Sequence, residues 1–263
     1  MQQAQDFWDE SAALGDLLAP LTDAKFETAT LFKGWTINQI LRHLHVWNIA
    51  AAHSIEGDDH FVSFMRTLMN GERGRAFTAY ESEYLDGLSG RALFQAWQAQ
   101  FERLAGAFGT IDPKKRLKWV GPEMSAISSV TARLMETWAH AQAVYDVLGV
   151  GRVDTDRIGN IVRLGVNTFG WTFKNRGEEP PGPMPHLCLT APSGAMWEYG
   201  EGEDRIEGSA TEFCQVVTQC RNIADTSLSV TGAVAKRWMS VAQCFAGPAQ
   251  DPPPAGARHL SVN

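Results

Sequence analysis

The stretch GWTINQILRHLHVWN, residues 34–48, predicts the start of a long amphipathic helix. Thr36 is a favourable N-cap residue, because its side chain can accept a hydrogen bond from a backbone N–H of the first turn. The side chains that follow along one face at helical spacing are Ile37, Ile40, Leu41, Leu44, Trp47 and Asn48. Similar spacing predicts further helices over residues 5–21, 89–108, 128–149 and 154–173. The first two thirds of the chain are therefore expected to be helical.

The pattern changes after residue 176. Residues 176–185 are rich in proline and glycine, which is typical of a linker. Beyond them, strand-like runs at 186–190, 196–199, 205–207 and 228–231 alternate with helical runs at 209–221 and 233–245. The composition from residue 248 onward predicts disorder. We therefore expect a helical bundle over 1–176, a small α+β domain over 185–247 and a disordered tail over 248–263.

The charge of the chain limits its partners. It has 23 Lys and Arg against 30 Asp and Glu among 263 residues, so its net charge is −7. This balance argues against a nucleic-acid or polybasic membrane-surface binder. We expect a monomer or homodimer without membrane contact, because no run of eighteen apolar residues occurs. The acidic N-terminus does not resemble a secretory signal, so we expect a cytoplasmic protein.

Two further features of the sequence, the four cysteines and residues 51–88, carry no pattern that predicts a catalytic or binding site. Cys188, Cys214, Cys220 and Cys244 show no CxxC spacing, so we expect them to be free and buried thiols. Residues 57–88 are interpreted as an insertion that carries one short helix. His53 and His60 fall in the predicted turn region around residues 51–61, where we expect them to be solvated.

The most informative pattern is RLMETWAH, residues 133–140. Glu136 and His140 are four residues apart, so they lie on one face of a helix. This helix carries few charged residues, which indicates that it is packed on both sides. A buried carboxylate beside a buried imidazole needs a partner. A divalent metal would supply one, and the alternatives are a hydrogen bond between Glu136 and His140 or an ion pair between Arg133 and Glu136.

The predicted helix after Thr36 offers two further histidines. His43 and His45 are two residues apart, so at most one of them shares a site with Glu136 and His140. Spacing alone does not choose between them. Either one completes a set of two histidines and one carboxylate, which leaves coordination positions open as in catalytic zinc sites.

The segment Gly34–Leu44 resembles the start of DinB-like metal-binding bundles, and is most similar to the mycothiol-dependent maleylpyruvate isomerase group. The resemblance extends to the Arg-x-x-Glu-x-x-x-His pattern that ends at His140. It implies a mainly α fold, an up-down four-helix bundle followed by a small α+β domain similar to sterol-carrier folds. It also selects His43, so that His43, Glu136 and His140 would bind one divalent metal, usually zinc, with nickel or iron as alternatives.

The same resemblance implies a function and a substrate contact. Related isomerases add a low-molecular-weight thiol to a cis double bond, and rotation and thiol elimination leave the trans isomer. Arg221 matches in position an arginine that holds the substrate in relatives. We expect an isomerase or S-transferase that uses mycothiol or a glutathione-like thiol on a small acid or electrophile. The alternatives are a non-catalytic metal- or small-ligand-binding protein, and a bundle in which Glu136 and His140 merely pair.

Overall fold

A computed structural model describes residues 1–70 and 75–258 of the chain. By the density of its contacts the chain divides into two compact units, Met1–Val147 and Leu148–Asn263. The first unit is almost entirely helical, and the second combines helices with a four-stranded sheet. The predicted fold class, mainly α with a small α+β part, is confirmed.

The first unit contains seven α-helices and a two-stranded hairpin among its described residues. The helices are α1 (Gln2–Leu18), α2 (Asp23–Phe26), α3 (Ile37–Glu56), α4 (Asp58–Leu68), α5 (Phe77–Tyr84), α6 (Gly90–Thr110) and α7 (Ala126–Leu148), and the strands are β1 (Arg116–Leu117) and β2 (Met124–Ser125). Helix α6 packs against both α1 and α3. Large aromatic side chains such as Phe7, Trp97 and Phe108 fill the interior between these helices. Their burial is the main source of stability for such a bundle.

Helix α3 begins where the sequence predicts it to begin. The side chain of Thr36 accepts a hydrogen bond from the backbone N–H of Gln39, and the Gln39 side chain accepts one from the backbone N–H of Thr36. This reciprocal capping box satisfies two N–H groups that a helix start otherwise leaves unpaired. It fixes the helix start, and therefore the position of His43 two turns later.

The region from 57 to 88 differs from the prediction of one helix. It contains α4 and α5, and residues 71–74 lie outside the described residues. Gly57 separates α3 from α4 with φ 153° and ψ 164°, a backbone conformation that is essentially restricted to glycine. The chain therefore reverses within one residue, and α3 extends to Glu56 through the region predicted as a turn.

The second unit is built around a mixed sheet. Its strands are β3 (His186–Thr190), β4 (Met196–Tyr199), β5 (Arg205–Ser209) and β6 (Ser229–Thr231), and its helices are α8 (Gly159–Asn167), α9 (Phe169–Lys174), α10 (Ala210–Val217) and α11 (Ala233–Val241). The strand order is β4-β3-β5-β6, with β3 and β5 parallel and the other pairs antiparallel. Alternate residues such as Leu187 and Leu189 are buried, as the period of a half-buried strand requires.

The contact-based boundary lies before the predicted one. Helix α8 packs against α10 and α9 packs against α11, so both helices belong to the second unit. The predicted helix over 154–173 is divided into a short 3-10 helix at Asp156–Ile158, α8 and α9. The domain limits of 1–176 and 185–247 stay a prediction, which the folding of separately expressed fragments would test.

Residues 248–258, part of the tail predicted to be disordered, make hydrogen bonds to distant residues, and the disorder itself stays a prediction. Arg176 donates hydrogen bonds to the backbone oxygen of Gln250 and to the carboxylate of Asp251. Asn222 donates to the backbone oxygen of Pro253, and Arg258 donates to that of Gln219. These bonds come from residues distant in sequence, so composition could not predict them. Residues 259–263 lie outside the described residues.

None of the described helices has the length and apolar character that crossing a membrane requires.

Candidate metal centre

Helices α3 and α7 bring the three predicted ligands together. Oε2 of Glu136 lies 3.3 Å from Nε2 of His140 and 3.7 Å from Nε2 of His43. One ligand atom from each of the three residues lies within 4.8 Å of the others. The capping box positions His43 on α3, and the four-residue spacing on α7 positions Glu136 and His140 on one face. The second predicted histidine, His45, is not part of this group.

His45 lies apart from the group formed by His43, Glu136 and His140. It is buried, and its Nδ1 makes no hydrogen bond within the described part of the chain. Burial and, to a smaller extent, the positive charge of Arg103 lower the pKa of His45 to about 4. His45 is therefore a neutral imidazole in the interior, two residues away from His43 and on another face of α3.

The three side chains fit a divalent metal. Ligand atoms about 2.1 Å from a tetrahedral zinc ion lie about 3.4 Å from one another, and the two distances from Glu136 are close to this value. Two imidazole nitrogens and one carboxylate oxygen suit zinc, nickel and iron alike. Three protein ligands also leave at least one position for water or a small ligand.

Glu81 holds His43 in place, and sequence reasoning missed it. Its Oε1 lies 2.7 Å from Nδ1 of His43, and its side chain is fully buried. A histidine that donates its Nδ1–H to a carboxylate presents the Nε2 lone pair to a metal, a common arrangement around metal-binding histidines. A weak signal was present, because Phe77, Tyr80, Glu81 and Tyr84 share one face of α5 at helical spacing, which places Glu81 among apolar side chains.

Arg133 supplies a buried positive charge near the two carboxylates. Its Nε donates a hydrogen bond to Oδ1 of Asn48, 3.0 Å away on α3. Burial lowers the pKa of Arg133 to about 10, and the charges of Glu136 and Glu81 act in the opposite direction. Arg133 is thus still protonated at neutral pH. It links α7 to α3 and offsets part of the negative charge at the site.

Aromatic rings surround the two histidines. The Trp35 ring is stacked parallel to that of His140, with centroids 6.0 Å apart and an interplanar angle of 4°. Phe32 meets His140 edge to face at 4.8 Å, and Trp47 lies 6.2 Å from His43. These rings restrict the imidazole orientations and lower the local dielectric constant, which strengthens every charge interaction at the site.

The pKa values of the three predicted ligands reflect their mutual contacts. Burial disfavours the charged form of each residue, but hydrogen bonds to Glu136 and Glu81 together with their charges raise the pKa of His43 to about 9. Burial lowers the pKa of His140, and the positive charge of His43 lowers it further by a smaller amount. The hydrogen bonds and charges of both histidines outweigh burial at Glu136 and hold its pKa well below the usual range. At neutral pH and without a metal, His43 is therefore protonated on both ring nitrogens, while His140 is neutral and Glu136 is ionised.

This protonation state predicts a pH-dependent metal affinity. A proton on Nε2 of His43 competes with the metal below pH 9, so zinc affinity should rise about tenfold per pH unit from pH 7 to about 9 and then level off. Zinc binding at pH 7 should release about one proton. Competition titrations against a chromophoric chelator, with calorimetry in buffers of different ionisation enthalpy, measure both quantities. A zinc affinity that does not change between pH 7 and 9 would contradict this assignment.

Arg221 lies in the second unit, just after α10. It is buried, and its Nη1 donates a hydrogen bond to the backbone oxygen of Cys220 at 3.1 Å. Its predicted contact with a substrate stays a prediction.

The four cysteines form no disulfide bonds in the structure. Cys214, Cys220 and Cys244 are buried, while Cys188 on β3 is partly exposed. Burial raises the pKa of Cys214 well above its usual value and also raises that of Cys220. Because the thiolate is the nucleophilic form, neither is suited to attack a substrate at neutral pH.

Sequence similarity links the chain to a known family. The family described as Mycothiol maleylpyruvate isomerase N-terminal domain matches residues 7–145. Two uncharacterized proteins of Mycobacterium tuberculosis, from strains CDC 1551 / Oshkosh and ATCC 25618 / H37Rv, are each 35% identical over 245 residues, which cover 92% of this chain and 95% of theirs. These relatives carry no functional description.

Two solved structures share the fold at low sequence identity. They are crystal structures of the mycothiol-dependent maleylpyruvate isomerase and of a mutant of it, both 17% identical to this chain, with TM-scores of 0.53 and 0.52. Each comparison covers 82% of this chain and 87% of the other. The matched residues, 7–145, span α3 and most of α7, the helices on which His43, Glu136 and His140 lie. The chain therefore belongs to the mycothiol maleylpyruvate isomerase N-terminal domain family.

Proposed function

We propose that this protein is a metal- and thiol-dependent enzyme that isomerises, or adds a thiol to, a small unsaturated acid or related electrophile. The observation that carries the proposal is the convergence of Nε2 of His43, Oε2 of Glu136 and Nε2 of His140 beside a buried carboxylate, Glu81. A structural helix pair has no need of this arrangement. Burying Glu81 and His140 and partly burying His43 and Glu136 is costly unless these groups bind something.

The residues of the site have distinct parts in this proposal. His43, Glu136 and His140 would hold one divalent metal, for which zinc is our first choice and nickel or iron the alternatives. When bound, the metal would supply a positive charge that lowers the pKa of a thiol or water beside it. Glu81 holds the proton on Nδ1 of His43. The rings of Phe32 and Trp35 keep bulk water from one side of His140.

The thiol is proposed to come from a separate molecule. The pKa values of Cys214 and Cys220 are raised by burial, so these residues are poor sources of thiolate. The solved structures that share the fold are described as mycothiol-dependent, which makes mycothiol the first thiol to test and glutathione the second. The thiol sulfur would add to one carbon of the cis double bond and leave again after rotation, so the thiol is regenerated.

We propose that Arg221 binds a carboxylate of the substrate. A planar guanidinium can form two parallel hydrogen bonds with a carboxylate, which a lysine cannot reproduce. A competing role for Arg221 is to stabilise the chain just after α10, where its guanidinium donates to the backbone oxygen of Cys220. A monomeric or homodimeric, cytoplasmic enzyme is consistent with this small-molecule chemistry and stays a prediction.

The experiment is a turnover assay on zinc-loaded protein with maleylpyruvate, with and without mycothiol or glutathione. We expect the trans isomer to form only when a thiol is present, and the turnover to be lost after chelation and restored by zinc. Conjugation of the same thiols to a chromogenic electrophile distinguishes thiol transfer from isomerisation. Arg221→Lys should raise KM for the acid about tenfold or more with the metal retained, since each tenfold step is about 1.4 kcal/mol of lost binding.

Two outcomes would overturn parts of this proposal. Metal-loaded protein that neither isomerises nor conjugates with either thiol would be a metal-binding protein without catalysis. An Arg221→Lys variant with unchanged KM would limit Arg221 to a structural role at the end of α10.

A further inference from the structure

A second group of metal-ligating side chains lies at the corner between α3 and α4. Nδ1 of His53 lies 2.9 Å from Oε2 of Glu56, and Nδ1 of His60 lies 3.5 Å from the same oxygen. One ligand atom from each of the three residues lies within 4.8 Å of the others. His53 follows His43 by ten residues on the same helix, which is about 15 Å along its axis. This group is therefore separate from the first centre.

The backbone of the corner creates the group. His53 and Glu56 are three residues apart in the last turn of α3, and His60 lies in the first turn of α4. Gly57 reverses the chain between them with φ 153°, so that both helices present side chains at one corner. A residue with a side chain would be strained in this conformation. The group therefore depends on a local turn that the sequence encodes within eight residues.

The two rings are oriented before any ion arrives. The His53 and His60 rings are nearly parallel, with an interplanar angle of 13° and centroids 6.4 Å apart. The His53 ring also lies close to Phe64 of α4, with ring centroids 5.3 Å apart. Both Nδ1 atoms point to the same carboxylate oxygen. Little conformational entropy remains to be lost by His53 when an ion binds, which favours binding.

The local charge also favours a cation. Asp58 and Asp59 lie in the first turn of α4, so three acidic residues fall within positions 56–59. The ammonium group of Lys115 contacts the backbone oxygen of Ile55 at 3.2 Å and offsets one of these charges. Glu56 and His60 are exposed, so an ion can enter from solvent and keep water on its open positions.

We propose that His53, Glu56 and His60 form a second, solvent-accessible site for a divalent transition metal. Two imidazole nitrogens and one carboxylate oxygen are ligands that Zn²⁺, Ni²⁺ and Cu²⁺ bind well and that Mg²⁺ and Ca²⁺ bind poorly. A bound ion joins the end of α3 to the start of α4 across Gly57, and so stabilises the corner on which Phe61 and Phe64 enter the core.

The test is zinc stoichiometry by equilibrium dialysis at a free Zn²⁺ concentration of about 10 µM, which fills sites of micromolar or tighter affinity. Wild-type protein should hold two equivalents, and the double variant His53→Ala/His60→Ala one. Glu136→Gln, which removes a ligand of the first centre, should also hold one, and this one should disappear when the three substitutions are combined. Ser63→Ala, an exposed position on α4, is the matched control and should hold two.

Direct observation of the two rings complements the stoichiometry. The side-chain nitrogen signals of His53 and His60 in NMR spectra should shift when Zn²⁺ is added to Glu136→Gln protein, and Mg²⁺ should not shift them. The inference is overturned if the double variant binds as much zinc as the wild type, or if these signals do not respond. Loss of zinc only in Glu136→Gln would support the first centre and overturn the second, whereas loss only in the double variant would do the reverse.

Discussion

Glu136→Gln should lower the zinc affinity of the first centre by about a hundredfold to a thousandfold. Structural zinc sites with four ligands contribute about 10–16 kcal/mol of binding free energy, or roughly 3 kcal/mol per ligand. Glutamine has nearly the same size and shape, so the packing around His43 and His140 is kept while the charged ligand is lost. Chelator competition at pH 7 measures the affinity, and circular dichroism and thermal unfolding of the metal-free variant check the fold.

Glu102→Gln is the matched control for this substitution. Glu102 is an exposed carboxylate on α6, so the same change of charge takes place away from the proposed ligands. Its zinc affinity should equal that of the wild type. An equal loss in both variants would indicate a general effect of net charge. No loss in Glu136→Gln would leave Glu136 and His140 as a simple structural pair.

Glu81→Ala should lower the intrinsic zinc affinity about tenfold to a hundredfold. Residues that orient a metal-binding histidine typically contribute this much, because they fix its tautomer and raise the basicity of its ligand nitrogen. The loss should be measured near pH 9, where the proton on His43 competes least. At pH 7 the loss should be smaller. Glu81 raises the pKa of His43, so its removal also weakens the competing proton.

The matched control is Glu83→Ala on the same helix. Glu83 is exposed and pairs with Arg75 at 2.7 Å on the surface, where an ion pair contributes little. Glu81→Gln should give an intermediate loss, since the amide oxygen can still accept the Nδ1–H of His43 without the charge. If Glu81→Ala and Glu83→Ala bind zinc equally well at pH 9, Glu81 does not position His43.

Local sequence patterns predicted the parts of the site that lie within single helices. The start of α3 was predictable because Thr36 and the apolar residues after it form a pattern within a few turns, and the capping box confirms it. Glu136 and His140 were predictable as a pair because four-residue spacing fixes their common face. The choice of His43 over His45 depended on the family resemblance, and the distances now agree with it.

Contacts between distant residues were not predictable in this way. Glu81 reaches His43 across 38 positions of sequence, and no local spacing encodes that contact. Arg176 and Asn222 hold the proline-rich end of the chain by hydrogen bonds to its backbone, although its composition predicts disorder. The sequence predicts that His53 and His60 are solvated, but it does not show that they meet, because no local pattern indicates that α4 starts directly after α3 at Gly57.

The most direct test of the account is the location of the metal in a crystal of protein loaded with one equivalent of zinc. Anomalous diffraction at the zinc edge should give its strongest peak about 2.0–2.2 Å from Nε2 of His43, Oε2 of Glu136 and Nε2 of His140. Nδ1 of His43 should still contact Glu81. A crystal in which the strongest zinc peak lies elsewhere, with these three side chains in contact only with one another, would contradict the account.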